Sequence, residues 1–150
     1  MQELNEDLEG YALAPNSNQE IFLSGGRRSN GEMSNKVFCL DLFAESWNGK
    51  RTSYLNHGRH LHSSITLGLK IFVICGSKTD EDGTPEYLDS VEMLDMDTVN
   101  LDSSDDNEKL WTMLTFAEEE GLYSVVLPVV CKLSDNSLIV MGGTTIDDGS

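Results

Sequence analysis

All three histidines of the chain lie within a six-residue stretch, which makes it the first candidate for chemistry. The stretch reads His57-Gly58-Arg59-His60-Leu61-His62, and His60 and His62 share a side only if it is extended. A metal site needs several such ligands converging with a carboxylate or cysteine, and no cysteine or second histidine cluster accompanies them. We therefore predict no metal ion here. We expect His62 to be structural, and His57 and His60 to be loop residues.

Two further segments have the composition of ion-binding loops but lack the residues that would complete them. Asp80-Glu81-Asp82-Gly83 begins like a calcium loop, yet Val91 stands where the twelfth position needs a glutamate. Gly25-Gly26-Arg27-Arg28 is not followed by the Gly-Lys-Ser/Thr of a phosphate-binding loop. We expect a solvated loop in the first case. In the second we expect a strand-end glycine pair that allows close packing.

The sequence shows no arrangement typical of a hydrolase. No Ser-His-Asp or Cys-His set stands out, and no paired carboxylates lie in an apolar setting. Ser103-Ser104-Asp105-Asp106 resembles a site for an acid-directed kinase, with a disordered acidic tip as the alternative. We predict that the chain is not an enzyme and needs no cofactor.

The net charge of −16, from 26 acidic and 10 basic residues, limits the possible partners. Nucleic acid and anionic membranes are disfavoured, because counterion release needs positive charge on the protein. The sequence shows no signal peptide, and no apolar run approaches the ~20 residues of a membrane helix. Cys39, Cys75 and Cys131 each lie in an apolar run without metal spacing, which predicts buried, reduced thiols. We expect a cytoplasmic protein.

Three similar apolar runs organise the chain. Ile21–Gly26 reads IFLSGG, Ile71–Gly76 reads IFVICG, and Leu138–Gly143 reads LIVMGG. Each is too short for a buried helix and ends in two small residues, which predicts a buried strand. A repeat of this kind sets the architecture. Each run follows a turn and another apolar run, so we predict hairpins that begin with Tyr11–Ala14, Ser63–Leu67 and Val129–Leu133.

A third strand ending in aspartate follows the first two glycine pairs, and a tryptophan follows each aspartate. Val37–Asp41 precedes Trp47, and Val91–Asp95 precedes Trp111. The longer second spacing is explained by an acidic insertion, Asn100–Lys109. The unit is therefore a four-stranded antiparallel meander of about 50 residues.

In this order of motifs the chain resembles kelch repeats, whose units form the blades of β-propellers. Arg59-His60-Leu61-His62-Ser63 is similar to the Arg-x-x-His-Ser that opens many kelch units. Cys75 departs from the family by replacing a glycine, and Leu40 and Leu94 stand where the family usually has tyrosine. The residues that match the structural motif are Gly25, Gly26, Asp41, Trp47, His62, Gly76, Asp95, Trp111, Gly142 and Gly143, with Cys75 at a glycine position.

The resemblance implies an all-β fold made of antiparallel four-stranded kelch-type blades. We expect an acidic, weakly ordered leader over residues 1–10 and an incomplete propeller over 11–150. Its blades would span about 11–52, 59–114 and, truncated, 125–150, which makes about two and a half where propellers have four to eight. The open edges of such an incomplete ring predict self-association.

The resemblance also implies a non-catalytic protein–protein interaction module, for example within a scaffold or a ubiquitin-ligase substrate adaptor. One alternative is a fragment of a galactose-oxidase-like propeller enzyme whose active site lies on missing blades. A truncated gene product with no function of its own is a third possibility.

Successive turns of a meander alternate between its two ends, so the loops after the glycine pairs and the linkers between blades should share one face. Arginine suits bidentate pairing with carboxylate or phosphate, so a partner protein or peptide with an acidic or phosphorylated segment is expected there. The alternative is that the cations expected on this face only neutralise the acidic loop Asp80–Glu86. These cations are Arg27, Arg28, Lys50, Arg51 and Arg59. The candidate partner-binding residues are Arg27, Arg28, Arg51, Tyr54, His57, Arg59, His60, Asp80 and Asp82.

Overall fold

The computed structural model describes residues 4, 6–48, 54–80, 82–98, 110–115 and 125–144. Every helix or strand assigned among these residues is a β-strand, which confirms the all-β class. The strands are β1 (Leu8–Glu9), β2 (Ala12–Pro15), β3 (Glu20–Ser24), β4 (Arg27–Arg28), β5 (Val37–Asp41), β6 (Ser46–Asn48), β7 (Ser63–Leu67), β8 (Lys70–Ile74), β9 (Ser77–Thr79), β10 (Pro85–Tyr87), β11 (Val91–Asp95), β12 (Trp111–Leu114), β13 (Val129–Ser134) and β14 (Ser137–Met141).

The strands form three main antiparallel sheets. The first sheet has the order β2-β3-β5-β6, and the second has the order β7-β8-β11-β12. Both are the four-stranded meanders expected from the sequence. The third sheet contains β13 and β14, and two short ribbons pair β1 with β4 and β9 with β10. Within the described ranges, no helix is long and apolar enough to cross a membrane.

The first and second sheets pack face to face because their strands alternate in side-chain direction. Phe22 and Cys39, which are opposite each other in register, are buried against the second sheet. From the second sheet, Ile71, Leu94 and Trp111 belong to the same buried cluster. The first strands of the two sheets, β2 and β7, are also in contact.

The second and third sheets pack in the same way through the next faces along the chain. Ile74 and Val91 of the second sheet form a buried cluster against which Leu138 and Val140 of the third sheet pack. The strands β7 and β13 are in contact, as β2 and β7 are. The repeated strand β8 therefore turns one side toward the first sheet and the other toward the third.

Trp47 and Trp111 occupy equivalent places, but only one of them is fully buried. Trp47 lies opposite Leu40, and Trp111 lies opposite Leu94. Trp111 is 3% exposed, whereas Trp47 is partly buried. Equivalent places in the repeat predict two largely buried rings, which Trp111 fully confirms and Trp47 confirms only in part. Its side of the first sheet faces away from the second sheet, and its ring meets Phe38 edge-on with centroids 6.3 Å apart.

The far face of the third sheet is also uncovered and strongly apolar. Cys131 is exposed, in contrast to the buried thiols Cys39 and Cys75, so the expectation of three buried thiols is wrong for this residue. The cause is the alternation of β13, which turns Val130 toward the second sheet and Cys131 away from it. The same exposed face carries Val129, Leu133, Ile139 and Met141.

The residue pair that ends each repeated strand takes a left-handed backbone conformation. Gly25 has φ 63°, and Gly142 has φ 65°. Cys75, at the matching position of the second run, has φ 58° even though it carries a Cβ. A non-glycine residue in this region is strained, and here burial of the thiol in the core accompanies the strain. The repeat thus extends to backbone conformation.

The acidic leader, which we expected to be weakly ordered, ends in a strand. Leu8 and Glu9 pair antiparallel with Arg28 and Arg27, respectively. Gly10 then accepts a hydrogen bond from the Leu61 backbone N–H at 2.8 Å. The end of the leader is therefore part of the fold, because β4 offers it an unpaired strand edge and opposite charge.

Candidate protein-binding surface

Two loops and the segment between the first two sheets come together at one end of the molecule. The Arg59 backbone N–H donates to Ser34 O at 3.2 Å, and Arg59 O accepts from Gly26 N–H at 2.8 Å. His60 exchanges two backbone hydrogen bonds of 2.9 Å with Ser77. The segment is thus fixed between the loop after Gly26 and the loop after Gly76. We call this end of the molecule the loop face.

The loop face carries a groove of about 390 Å³ between the two loops. Met33 and Gly58 approach closely at its floor, where a Cβ on Gly58 would lie 2.6 Å from Met33 O. The groove is lined by Gly31, Glu32, Met33, Gly58, Lys78 and Thr79.

Arg27 and Arg28 lie on this face, and acidic residues already accompany both. Arg28 Nη1 lies 2.8 Å from Glu32, and its Nε lies 3.2 Å from Glu6. The hydrogen bond that Arg28 donates to Glu32, together with the nearby carboxylates, raises the pKa of Arg28. Among the described residues, the carboxylate that accompanies Arg27 is that of Glu9 at 3.8 Å, and the Arg27 side chain is about half exposed. Among the residues that the structure describes, Arg27 and Arg28 therefore pair with Glu6, Glu9 and Glu32.

Glu6 connects two cations of this surface, a role that the sequence did not suggest. Its two carboxylate oxygens contact Arg28 and Lys36. The hydrogen bond from Lys36, followed by the charges of Lys36 and Arg28, lowers the pKa of Glu6 despite the opposing effect of burial. Glu6 is therefore a carboxylate at neutral pH.

Arg59, expected on the binding face, is instead completely buried. Its Nη2 contacts Glu92 Oε1 at 2.5 Å, and neither side chain is exposed. Its Nη1 donates to Cys75 O at 2.9 Å. Burial lowers the pKa of Arg59, and the charge of Glu92 opposes this effect. Arg59 holds the segment between the sheets onto the second sheet and is not available to a partner.

Glu92 is the structural residue that the sequence analysis missed. Its carboxylate accepts hydrogen bonds from the Asn56 backbone N–H at 2.6 Å and the His57 backbone N–H at 3.2 Å. The signal was present, because strand alternation puts Glu92 on the same side as the core residue Leu94. A carboxylate in that position requires a buried cation.

The three histidines have different surroundings. His62 is buried, and its Nε2 lies 2.9 Å from Ser24 Oγ. Burial, followed by the charges of Arg59 and His60, lowers the pKa of His62 to about 3. His60 Nδ1 lies 3.2 Å from Ser77 O, and His57 is partly buried. In the part of the chain that the structure describes, no group of three or more His, Cys, Asp or Glu side chains could hold a metal ion.

The remaining candidates differ in accessibility. Tyr54 is 57% exposed beside the buried Leu55. Asp80 shapes its own loop, because its Oδ1 accepts from the Asp82 and Thr84 backbone N–H groups at 3.0 and 2.7 Å. Asp82 is exposed. Arg51, like Ser103 and the insertion Asn100–Lys109, lies outside the described residues.

Acidic turns occupy the opposite end of the sheets. A groove of about 510 Å³ there has Asp95, Asp97 and Asp135 in its lining. Asp135 pairs with Lys132 at 2.7 Å in an exposed turn. The hydrogen bond from Lys132 lowers the pKa of Asp135. The lining of this groove also includes Lys70, so the described residues place charges of both signs at each end of the sheets.

A comparison with known proteins finds a distant relative. The chain is 31% identical over 96 residues, 60% of its length, to alpha-scruin of Limulus polyphemus, a kelch-repeat protein. The matched region covers 10% of that relative, so the chain spans a small part of its length. No protein-family model matches the sequence. The similarity and the repeated antiparallel sheets are together consistent with kelch-like repeats.

Proposed function

We propose that the chain is a non-catalytic protein-binding module made of kelch-like propeller blades. The observation that carries the proposal is the loop face, where two loops and the intervening segment are held by backbone hydrogen bonds at one end of packed sheets. Loops fixed on a rigid scaffold are the usual site of recognition. The similarity to a kelch-repeat protein supports the same function. Such a module would serve a scaffold or a ubiquitin-ligase substrate adaptor.

The partner that suits this face is a protein segment with acidic or phosphorylated side chains. Arg27 is an accessible cation of this face, since its carboxylate neighbour lies 3.8 Å away and its side chain is about half exposed. Arg28 presents a guanidinium that two carboxylates already approach, and an acidic ligand would approach it in the same way. The thiols Cys39 and Cys75, which form no disulfide, suit a cytoplasmic setting.

The experiment compares partner capture by matched variants. Wild-type chain, Arg27→Ala/Arg28→Ala and Lys132→Ala are immobilised and exposed to extract from the source organism, and bound proteins are quantified by mass spectrometry. Lys132 is a suitable control because it also forms an exposed ion pair, but at the opposite end. We expect the double arginine variant to lose partners that Lys132→Ala retains. Equal capture by all three proteins would reject the loop face as the binding surface.

A further inference from the structure

The end of the acidic leader lies on the arginine strand in the manner of a bound peptide. Leu8 pairs with Arg28 and Glu9 with Arg27 in an antiparallel ribbon. The Leu8 side chain covers Gly26, because a Cβ on that glycine would lie 3.1 Å from Leu8 Cβ. Strand pairing thus supplies backbone hydrogen bonding, and the small glycine provides room for an apolar side chain.

Charge complementarity accompanies the strand pairing. Glu6 contacts both Arg28 and Lys36 and is only 19% exposed as a side chain. Glu9 reaches Arg27 at 3.8 Å. An extended Glu-x-Leu-Glu segment, Glu6 to Glu9, therefore satisfies three cations of the loop face. This is the chemistry that an acidic partner would also need.

The contact between the leader and β4 is weak enough to be reversible. A two-residue ribbon is far shorter than an independently stable strand pair, and exposed ion pairs contribute little. What holds the segment in place is its connection through Gly10, whose carbonyl accepts the Leu61 N–H at 2.8 Å. A short connection of this kind gives an effective concentration in the millimolar range, enough to occupy a weak site.

We propose that Glu6–Glu9 is an intramolecular occupant of the arginine surface, which consists of Arg27, Arg28 and Lys36. Carboxylate-rich extended peptides bind there in competition with this segment. The ligand class is an acidic strand that pairs with Arg27–Arg28 and places a leucine-like side chain over Gly26. Only molecules whose internal segment has left the surface can bind in trans, so the apparent dissociation constant is the intrinsic one divided by the fraction of such molecules. The statement that the biological partner is such a peptide rests on the proposed function. The competition between the internal segment and an added peptide does not rest on it.

The test uses the leader's own sequence as the probe. A fluorescent peptide, QELNEDLEG, is titrated with wild-type chain and with Glu6→Lys/Glu9→Lys, and its anisotropy is measured. In the variant, lysines face the arginines and Lys36, so the internal segment is repelled from the surface. We expect the variant to bind the peptide at least about tenfold more tightly than wild type, and added salt to weaken that binding.

Two controls show whether the arginine surface is the site. A peptide with glutamines and asparagine in place of its acids keeps the leucine but should not bind. Adding Arg27→Ala/Arg28→Ala to the lysine variant should abolish binding of the acidic peptide, and circular dichroism should show an unchanged strand content. Equal affinity of wild type and lysine variant, no binding to either, or binding that survives the arginine substitutions would each overturn the inference.

The two proposals fail separately. If the peptide competes with the internal segment but no partner in extract depends on the arginines, the proposed function is rejected and the internal occupant is supported. If partners in extract depend on Arg27 and Arg28 but no peptide binds, the internal occupant is rejected and the proposed function is supported.

Discussion

Arg59 and Glu92 form an ion pair at 2.5 Å in which both side chains are completely buried. Arg59 lies in the segment between the first two sheets, and Glu92 lies in β11 of the second sheet. Glu92 also accepts the backbone N–H groups of Asn56 and His57. The pair therefore fixes the segment that forms the middle of the loop face.

Removing one partner of this pair should unfold the protein at much lower denaturant concentration. Arg59→Ala leaves the Glu92 carboxylate buried without its cation, which costs about 3–5 kcal/mol. Urea unfolding measures the loss. Lys132→Ala, which breaks an exposed ion pair, is the control and should leave the midpoint nearly unchanged. Similar midpoints for both variants would mean that the buried pair contributes no more than a surface one.

Alanine at two matching glycines should have unequal effects. Gly25 and Gly142 have φ of 63° and 65° and occupy the same place in the repeat. A Cβ on Gly25 would lie 2.4 Å from Arg59 O, whereas a Cβ on Gly142 has nothing within 4 Å. We expect Gly142→Ala to cost about 1 kcal/mol from backbone strain and Gly25→Ala about 3–4 kcal/mol. Equal costs in urea unfolding would contradict the close approach at Gly25.

The two tryptophans should differ in the same way. Trp111→Ala removes a ring that packs between two sheets and should cost about 3–5 kcal/mol. Trp47→Ala should cost about 1–2 kcal/mol, because water already reaches part of that ring. Urea unfolding of each variant gives the values. A cost below about 1 kcal/mol for Trp111→Ala would show that its ring does not pack in the core.

The strands could be predicted from the sequence because their signals are local. Short apolar runs that end in two small residues predict β3, β8 and β14 wherever these strands pack. The equivalence of Trp47 and Trp111 followed from the order of motifs once the longer second spacing was assigned to an insertion. The sequence could not show that one tryptophan lacks a covering sheet, since that depends on packing between units.

The candidate site was harder to predict because its charges are partnered over long distances in sequence. The sequence suggests that Arg59 is an accessible loop cation. In the structure it contacts Glu92, which lies thirty-three residues later in the chain. Glu6 lies in a segment whose composition suggests disorder, and its position is set by Arg28 and Lys36. Long-range pairing thus decides which cations are accessible.

The free energy of unfolding should decrease below neutral pH, because His62 is buried in its neutral form. Its pKa is about 3 in the folded chain against an ordinary 6.5, so the unfolded chain binds the proton first. As pH falls from 6.5 toward 3, this group lowers the free energy of unfolding by about 1.4 kcal/mol per pH unit. Between pH 7.5 and 5 the wild type should therefore lose about 2 kcal/mol more than His62→Gln, whose amide can still meet Ser24. Parallel pH profiles of the two proteins would contradict a neutral, buried His62.

The exposed face of the third sheet should make the chain self-associate. Leu133 is 72% exposed and Met141 is 47% exposed on this face, which also carries Cys131. An apolar face of this kind is typical of a surface that contacts another protein, and the uncovered side of the first sheet, with Trp47, offers a matching apolar surface in a second copy. Sedimentation should show mass increasing with concentration.

Cys131 gives this prediction a local readout, because its thiol lies on the face that would become covered. Labelling by a thiol reagent should be fast in dilute protein and slow in concentrated protein, while the buried Cys39 and Cys75 stay unlabelled throughout. Leu133→Lys places a charge on the same face and should keep both the mass and the labelling rate at their dilute values. A monomer at all concentrations, with constant labelling of Cys131, would show that this face does not mediate association between copies.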